Sequence, residues 1–408
     1  MSVPRCSGSE RESRPEREAC TLRRRIDAVA GACFALASVA LAACQQPAAR
    51  EEPSRARESP DRSEAVHAST AALAPPTPAA QPERRLFEVE RACMGTRCTI
   101  AAFHDDEAEF DQAVNRALAE IARLDAMMTT WTESSEVSRI NAGAGSGDVV
   151  ALSPETYQVL DRSLWIARES GGAFDITIGA FKGLWKFDED NDGSLPRRAD
   201  VLARLPLVDY RGLLLDPKLH TARLAKKGQS ITLGGIAKGL IVDHAVAKLR
   251  DSGLRDFLVQ AGGDMYAAGR RGDRPWRVGI QDPRAGGGQA RSADTSFALI
   301  SLEDSAFNTS GDYERFVIKD GKRYHHIIDP RTGYPVAHTR SVTVLAPTSF
   351  LADTLDTAVF VLGAEKGLEL IARVPGAEAV IVDAHNQLHM SPGLKERLQL
   401  TRPPTDAP

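Results

Sequence analysis

The sequence predicts a mixed α/β fold of the α+β kind rather than a doubly wound parallel sheet. Three observations carry that expectation. Short apolar strands and amphipathic helices interleave without a regular strand–helix–strand rhythm. Several helices show a clear apolar period with start and stop signals. No internal repeat suggests a solenoid.

The elements follow in order. Thr96 to Phe103 carries β-branched and apolar residues suited to a strand. Phe110, Ala113, Val114, Ala117, Leu118, Ile121 and Leu124 recur at helical spacing, which predicts a long amphipathic helix before Met127. A second helix is expected from about Pro154 to Ser170, with Pro154 in its first turn and Gly171-Gly172 as the stop. Strands are expected near Ser230–Leu233, Phe257–Ala261, Trp276–Gln281, Phe297–Leu302, Ser341–Leu345 and Ala377–Val382. Helices are expected over Ala237–Arg250 and Ser349–Leu362. Thr348 or Ser349 would cap the second, and Gly363 would end it.

Ahead of the folded part lies an address. Arg23, Arg24 and Arg25 precede an uncharged apolar run from Ala28 to Ala43. The run is too short to span a membrane comfortably and reads as a secretory signal over residues 1–43. It ends Leu41-Ala42-Ala43-Cys44, which resembles the bacterial lipobox, so Cys44 is expected to be the lipidated first residue. Residues 44–84 are rich in Pro, Ala, Arg, Glu and Ser and are expected to form a disordered tether. The folded domain is expected over 85–392, with a tail over 393–408. A lipid-anchored location in the bacterial cell envelope follows, facing the periplasm or exterior.

Composition excludes some classes. The formal net charge of −4 gives no basic footprint for nucleic acid, and 6% aromatic residues give no stacking platform for bases. Of six cysteines, Cys44, Cys93 and Cys98 would remain after cleavage. An extended chain holds Cys93 and Cys98 too far apart to bond, so both are expected to be buried thiols unless the backbone turns sharply between them.

Four constellations carry chemical meaning. Gly234-Gly235-Ile236-Ala237-Lys238-Gly239 stands between an expected strand and helix. Such glycines let the backbone approach a ligand closely, and helix-start amides attract phosphate; a tight strand-to-helix turn is the plain alternative. Ala352-Asp353-Thr354-Leu355-Asp356-Thr357-Ala358 puts Asp353 and Thr357 on one helix face, as hard oxygen ligands for Mg²⁺. Ser310-Gly311-Asp312-Tyr313 is followed by His325-His326-Ile327-Ile328-Asp329-Pro330-Arg331-Thr332-Gly333. Two adjacent histidines point to opposite sides if extended, so at most one serves a given site. Asp188 to Gly193 opens like a calcium loop, but Ala199 stands where the closing Glu belongs, so it reads as an acidic surface turn.

Taken together and in order, these segments resemble the ApbE family of FAD:protein FMN transferases. The resemblance starts at Met94-Gly95-Thr96 and runs through Thr130-Trp131 and Ser135 to Asn141. It continues through Gly172-Ala173-Phe174-Asp175, Leu184 to Phe187, Leu233 to Gly239 and Gly262-Gly263-Asp264. Ser310 to Tyr313, His325 to Gly333 and Ala352 to Ala358 complete it. It covers about Leu86 to Pro392 and implies a domain related to the T-fold. It implies cleavage of FAD, with FMN passing to a Thr or Ser hydroxyl of an acceptor protein and AMP leaving.

By the same resemblance, Met94, Trp131, Ala173, Phe174, Asp175, Thr232, Lys238 and Ile327 would line the FAD site. Asp353, Thr357 and the carbonyl of Gly235 would hold Mg²⁺, with Mn²⁺ as the alternative cation. His326 would be the base, with Asp353 as a further catalytic candidate. Two positions depart from the family pattern: Trp131 stands where Tyr is frequent, and Thr232 where Asp is common. The partners implied are FAD, an acceptor protein of an exported or membrane redox complex, and the membrane through the lipid anchor. Two other activities fit the same residues, FAD pyrophosphatase action yielding FMN and AMP, or non-catalytic FAD binding by a lipoprotein.

Overall fold

The structure is a computed structural model, and it describes residues 84–187, 190–285 and 295–407. The signal, Cys44 and almost all of the tether lie outside the described residues, as do Asp188 and Glu189.

The chain begins with a hairpin of β1 (Arg85–Cys93) and β2 (Thr96–His104). Helix α1 (Glu107–Met128) follows, capped by Asp106, whose side chain accepts from Glu109 N. Phe110, Ala113, Val114, Ala117, Ile121, Leu124 and Met128 are its buried face, as the period required. Next come α2 (Glu136–Ala142), β3 (Val150–Ala151) and α3 (Pro154–Glu169), the last with Ser153 as cap and Pro154 in the first turn. Helix α4 (Arg198–Arg204), β4 (Leu213–Asp216) and β5 (Thr221–Leu224) lead to α5 (Ala237–Asp251).

Strands β6 (Phe257–Ala261), β7 (Asp264–Ala268), β8 (Trp276–Gln281), β9 (Ser296–Leu302) and β10 (Ser305–Gly311) follow. Two small hairpins, β11 (Phe316–Lys319) with β12 (Lys322–His325) and β13 (Ile328–Asp329) with β14 (Tyr334–Pro335), precede β15 (Thr339–Ala346). Helices α6 (Ser349–Leu362) and α7 (Ala364–Ala372) and strands β16 (Glu378–Asp383), β17 (Leu388–Met390) and β18 (Leu398–Leu400) complete the domain.

The organising layer is an eight-stranded sheet in the order β1-β2-β6-β7-β10-β15-β16-β17, antiparallel at every step. One face packs on α1, α5, α6 and α7 through Ile100, Val259, Val344, Leu240 and Phe360. The other face is covered by the three-stranded sheet β18-β9-β8, with Phe307, Val380, Trp276 and Phe297 between them. Coverage on both faces explains β15, whose eight residues are all buried. The α+β expectation is therefore met, with an antiparallel sheet at the centre. Among the described residues no helix is long and apolar enough to cross a membrane.

The structure differs from expectation at three places. Ser230–Leu233 is not a strand. Only a single bridge joins Ser230 to Ile178, and the Asn141 side chain takes the place of a neighbouring strand, bonding Ile231 N and O at 2.7 and 2.9 Å. The segment after Pro392 is not simply a tail, because β18 joins the edge of β9. Cys93 and Cys98 are not free thiols but a disulfide, with Cα atoms 5.8 Å apart. The reason is the two-residue turn Met94-Gly95, with φ of 48° and 66°, which sends β2 straight back along β1.

Removing that bridge with Cys93→Ser/Cys98→Ser is expected to cost about 2 kcal/mol, from the closure entropy of so short a loop. A melting temperature a few degrees below the unmodified protein in oxidising buffer, with no gap in dithiothreitol, is the expected result. An equal gap in both buffers would assign the loss to packing instead.

Candidate active site

Helices α5 and α6 lie side by side and cap each other. On α5, Asp243 accepts from Ser349 N and Phe350 N at 2.8 and 2.9 Å, closing the start of α6. Thr348 caps the same turn, as expected. On α6, Asp353 Oδ2 accepts from Gly239 N at 2.7 Å in the first turn of α5, whose N-terminus has no side-chain cap of its own. Each helix start, where the helix dipole favours negative charge, thus receives a carboxylate from its neighbour. The exchange fixes Asp353 at the bottom of the glycine-rich turn.

Two further carboxylates join it. Asp264 opens β7, directly after the Gly262-Gly263 turn, and Asp356 stands one helical turn beyond Asp353. Ligand oxygens of Asp264, Asp353 and Asp356 all lie within 4.8 Å of one another, and all three residues are buried. Gly263 cannot be replaced without movement, since a Cβ there would stand 2.4 Å from Thr309 O. The turn therefore sets where Asp264 points.

Among the described residues one cation serves this group. Lys238 Nζ bonds Asp264 and stands 3.8 Å from Asp353 Oδ1. Burial would lower the Lys238 pKa, and Asp264 and Asp353 more than reverse it, so the ammonium is held charged. Burial, then repulsion from Asp264, pushes Asp353 up to about 7 despite Lys238. Burial and Asp353 hold Asp356 well above the usual carboxylate range. Three carboxylates face one ammonium here, and burial with mutual repulsion holds protons on Asp353 and Asp356 until a stronger positive charge displaces them. A divalent cation with a preference for oxygen fits that donor set. A second cluster, Glu120, Glu155 and His244, shows the contrast. Arg123 already bridges Glu120 and Glu155 at 2.8 and 2.5 Å and, chiefly by that bond, holds Glu120 down to about 2, so no cation is wanted.

The sequence-based ligands sit at the edge of this cluster. Thr357 Oγ1 is 3.2 Å from Asp356 Oδ1 and 3.3 Å from Ser310 Oγ. Gly235 lies against Thr357 and Phe174, since a Cβ built on it would meet Thr357 Oγ1 at 3.5 Å and Phe174 at 3.6 Å. Gly235, Thr357, Phe174, Lys238 and Asp353 are thus brought into one crevice. Asp264 and Asp356 were not read as ligands from sequence. Asp356 had a signal, its spacing of three from Asp353; Asp264 had only its place after two glycines.

The other expected residues take differing places in the fold. Met94 forms the β1–β2 tip in the left-handed region, next to the Gly262 turn, where Gly262 N donates to Arg97 O at 3.0 Å. Ala173 and Phe174 are buried after the Gly171-Gly172 turn. Asp175 is buried with both oxygens engaged, by Thr177 N and Oγ1 and by Tyr210 N, so it organises the loop. Thr232 is held by its N–H to Ile176 O, and Ile327 belongs to the core. Trp131 is 81% exposed, with Lys182 Nζ 5.5 Å from its ring centroid.

The histidine pair divides as the strand rule requires. His325 is buried, with Nε2 bonded to Val336 O at 2.6 Å and Nδ1 accepting from Ile327 N. It is structural. His326 reaches solvent, yet the protein around it, with His325, Arg315 and Lys238, holds its pKa below the usual histidine value. Its ring is neutral near pH 7, and the same surroundings oppose its protonation.

Comparison with known proteins gives one consistent answer. A family model described as the ApbE family matches residues 94–381. An FAD:protein FMN transferase of Treponema pallidum is 35% identical over 335 residues, covering 78% of this chain and 90% of that protein. One of Haemophilus influenzae is 31% identical over 315 residues, covering 76% and 90%. Among solved structures, the ApbE protein of Thermotoga maritima superposes with a TM-score of 0.68 at 30% identity, covering 77% of this chain and 99% of that one. The flavin transferase ApbE of Vibrio cholerae does so at 0.66 and 27%, with the same coverage.

Proposed function

The chain belongs to the ApbE family and is an FAD:protein FMN transferase, and from that premise we propose that its transfer requires Mg²⁺, ends on a Thr or Ser hydroxyl and releases AMP. The observation that carries the proposal is the cluster of three buried carboxylates, Asp264, Asp353 and Asp356, beside the Gly235–Thr357 crevice.

Bound there, a divalent cation would supply charge neutralisation to the pyrophosphate as its bond breaks. Asp353, Asp356 and Asp264 would hold it, with Thr357 and the Gly235 carbonyl at the edge. The rest falls to the chain's own groups. The Lys238 ammonium, held charged by Asp264 and Asp353, favours phosphate charge nearby. Phe174 closes the wall behind Gly235, and exposed Trp131 offers a ring face for stacking. His326 takes the proton of the acceptor hydroxyl as its oxygen bonds the FMN phosphorus. The bond from that phosphorus to the bridging oxygen breaks, and AMP leaves with the electron pair.

We place the enzyme in the cell envelope, held by lipid on Cys44 after removal of residues 1–43, with residues 44–84 as the tether and exported redox proteins as acceptors. The Cys93–Cys98 disulfide supports that location, since such bonds persist in oxidising compartments.

The test is intact-mass spectrometry on an acceptor domain mixed with FAD, Mg²⁺ and the protein from about Glu83 onward. The expected result is a gain of one FMN unit, abolished by EDTA and restored by added Mg²⁺. Accumulation of free FMN and AMP with an unmodified acceptor would favour hydrolysis. Intact FAD throughout, with several acceptors, would favour binding alone.

A further inference from the structure

Two exposed side chains, Trp131 and Lys182, join loops that are far apart in the chain. Among the large hydrophobic side chains exposed in the described residues, Trp131 is the only aromatic one and the most open, at 81%. Its loop is nonetheless tied down. Trp131 N donates to Thr129 Oγ1 at 3.2 Å, and Ser135 Oγ, the cap of α2, donates to Thr129 O at 2.6 Å. Lys182 reaches this loop from a separate turn. Its Nζ donates to Thr130 O at 3.3 Å and stands 5.5 Å from the Trp131 ring centroid. The Lys182 backbone is fixed in turn, with its N–H on Gly179 O at 3.0 Å and its carbonyl accepting from Arg204 Nη1 at 2.7 Å.

The pair lies at the end of a track that starts in the crevice. Phe174 stands against Gly235, Thr232 N donates to Ile176 O at 2.9 Å, and Gly179 abuts Ser230 so closely that a Cβ there would stand 2.6 Å from Ser230 O. One turn after Gly179 comes Lys182. From the other side, Asn141 of α2 bonds Ile231 N and O, which ties the helix after the Trp131 loop to the same stretch. Among the described residues no carboxylate lies within ion-pair distance of Lys182, so its charge serves the loop carbonyl and the ring. A cation over one face of an indole is attracted by the ring quadrupole and holds the ring in place. The opposite face, on so exposed a side chain, is left for a second planar group to stack on.

We propose that Lys182 is a positioning residue for FAD: its ammonium backs one face of Trp131 and fixes that ring as the platform for a heteroaromatic end of the dinucleotide. The inference rests on the stacking face assigned to Trp131 above and extends it to a residue outside the motifs. Phosphate at the Gly235 crevice and a ring at Trp131 are the two ends of one elongated ligand. A mononucleotide fills only part of that length.

The test is calorimetric titration of the protein with FAD, FMN and AMP, in EDTA and without acceptor. Lys182→Met, Lys182→Arg, Trp131→Leu and the double variant Lys182→Met/Trp131→Leu are compared with the original. Both side chains are exposed, so all are expected to melt with the original protein. Lys182→Met is expected to weaken FAD binding about two- to fivefold, the scale of one cation–π contact at an exposed site, and Lys182→Arg to keep the original affinity. Trp131→Leu is expected to weaken it about tenfold, the scale of a lost stacking contact. The double variant should bind no more weakly than Trp131→Leu alone, because Lys182 acts through the ring. In turnover the Lys182→Met loss should fall on KM for FAD and not on kcat. Whichever of FMN and AMP loses affinity in Trp131→Leu identifies the stacked ring. Unchanged FAD affinity in Lys182→Met, or additive losses in the double variant, would overturn the proposal and leave the stacking role of Trp131 standing. Unchanged affinity in Trp131→Leu would remove that role and the proposal together.

Discussion

Asp353→Asn is expected to reduce FMN transfer at least about 10³-fold, the scale of losing a main electrostatic group at a reacting phosphate. The amide still offers an oxygen to Gly239 N–H, which Asp353 now satisfies at 2.7 Å, so the α5 start stays capped. Loss of turnover with unchanged circular dichroism would assign the effect to charge. Full activity in the variant would remove Asp353 from the site.

The same residue gives a pH signature. Its folded pKa of about 7 lies above the ordinary 3.8, so its contribution to stability is complete below the lower value and is lost as pH rises through the higher one. Metal-free protein should therefore melt lower at pH 8.5 than at pH 5.5. Mg²⁺ should narrow that gap, and Asp353→Asn should flatten it. A gap that persists in Asp353→Asn would assign it to other groups, Asp356 first. Below pH 7 the metal must displace a proton, so its apparent affinity falls as acid is added.

Gly239→Ala is the second large effect. A Cβ at this position would stand 2.4 Å from Ser349 O and 2.6 Å from Asp353 Cβ, both on α6. Neither is the free end of a flexible side chain, so the helices must part. Overpacking of that kind costs about 1–3 kcal/mol, and here it also moves Asp353. The expected outcome is a lower melting temperature together with a transfer rate reduced even at temperatures where the variant is folded. Gly235→Ala is the contrast. Its added Cβ meets Thr357 and Phe174 at ordinary van der Waals distance, so the fold should hold while the crevice narrows. Equal melting temperatures for Gly239→Ala and the original protein would show that α5 and α6 shift freely.

Local signals in the chain determined much of this molecule. The period of Phe110 to Leu124, the cap at Thr348 and the stop at Gly363 specified α1 and α6 to within a few residues. The spacing of Asp353 and Thr357 put both on one helix, and extended backbone divided His325 from His326. The ordered motifs carried the family. Each of these depends on neighbours within a few residues, where the periods of helix and strand decide which face is buried.

What the tertiary structure decided is which distant segments meet. Ser230–Leu233 looked like a strand but bonds to the Asn141 side chain, because no strand lies beside most of it. Strand β7 pairs between β6 and β10, and only that sheet order sets Asp264 against Asp353 and Asp356. The turn at Met94-Gly95 joined Cys93 to Cys98, against the extended-chain expectation. A residue's charge is written in the sequence. Whether that charge is buried, repelled or answered depends on the other elements packed against it.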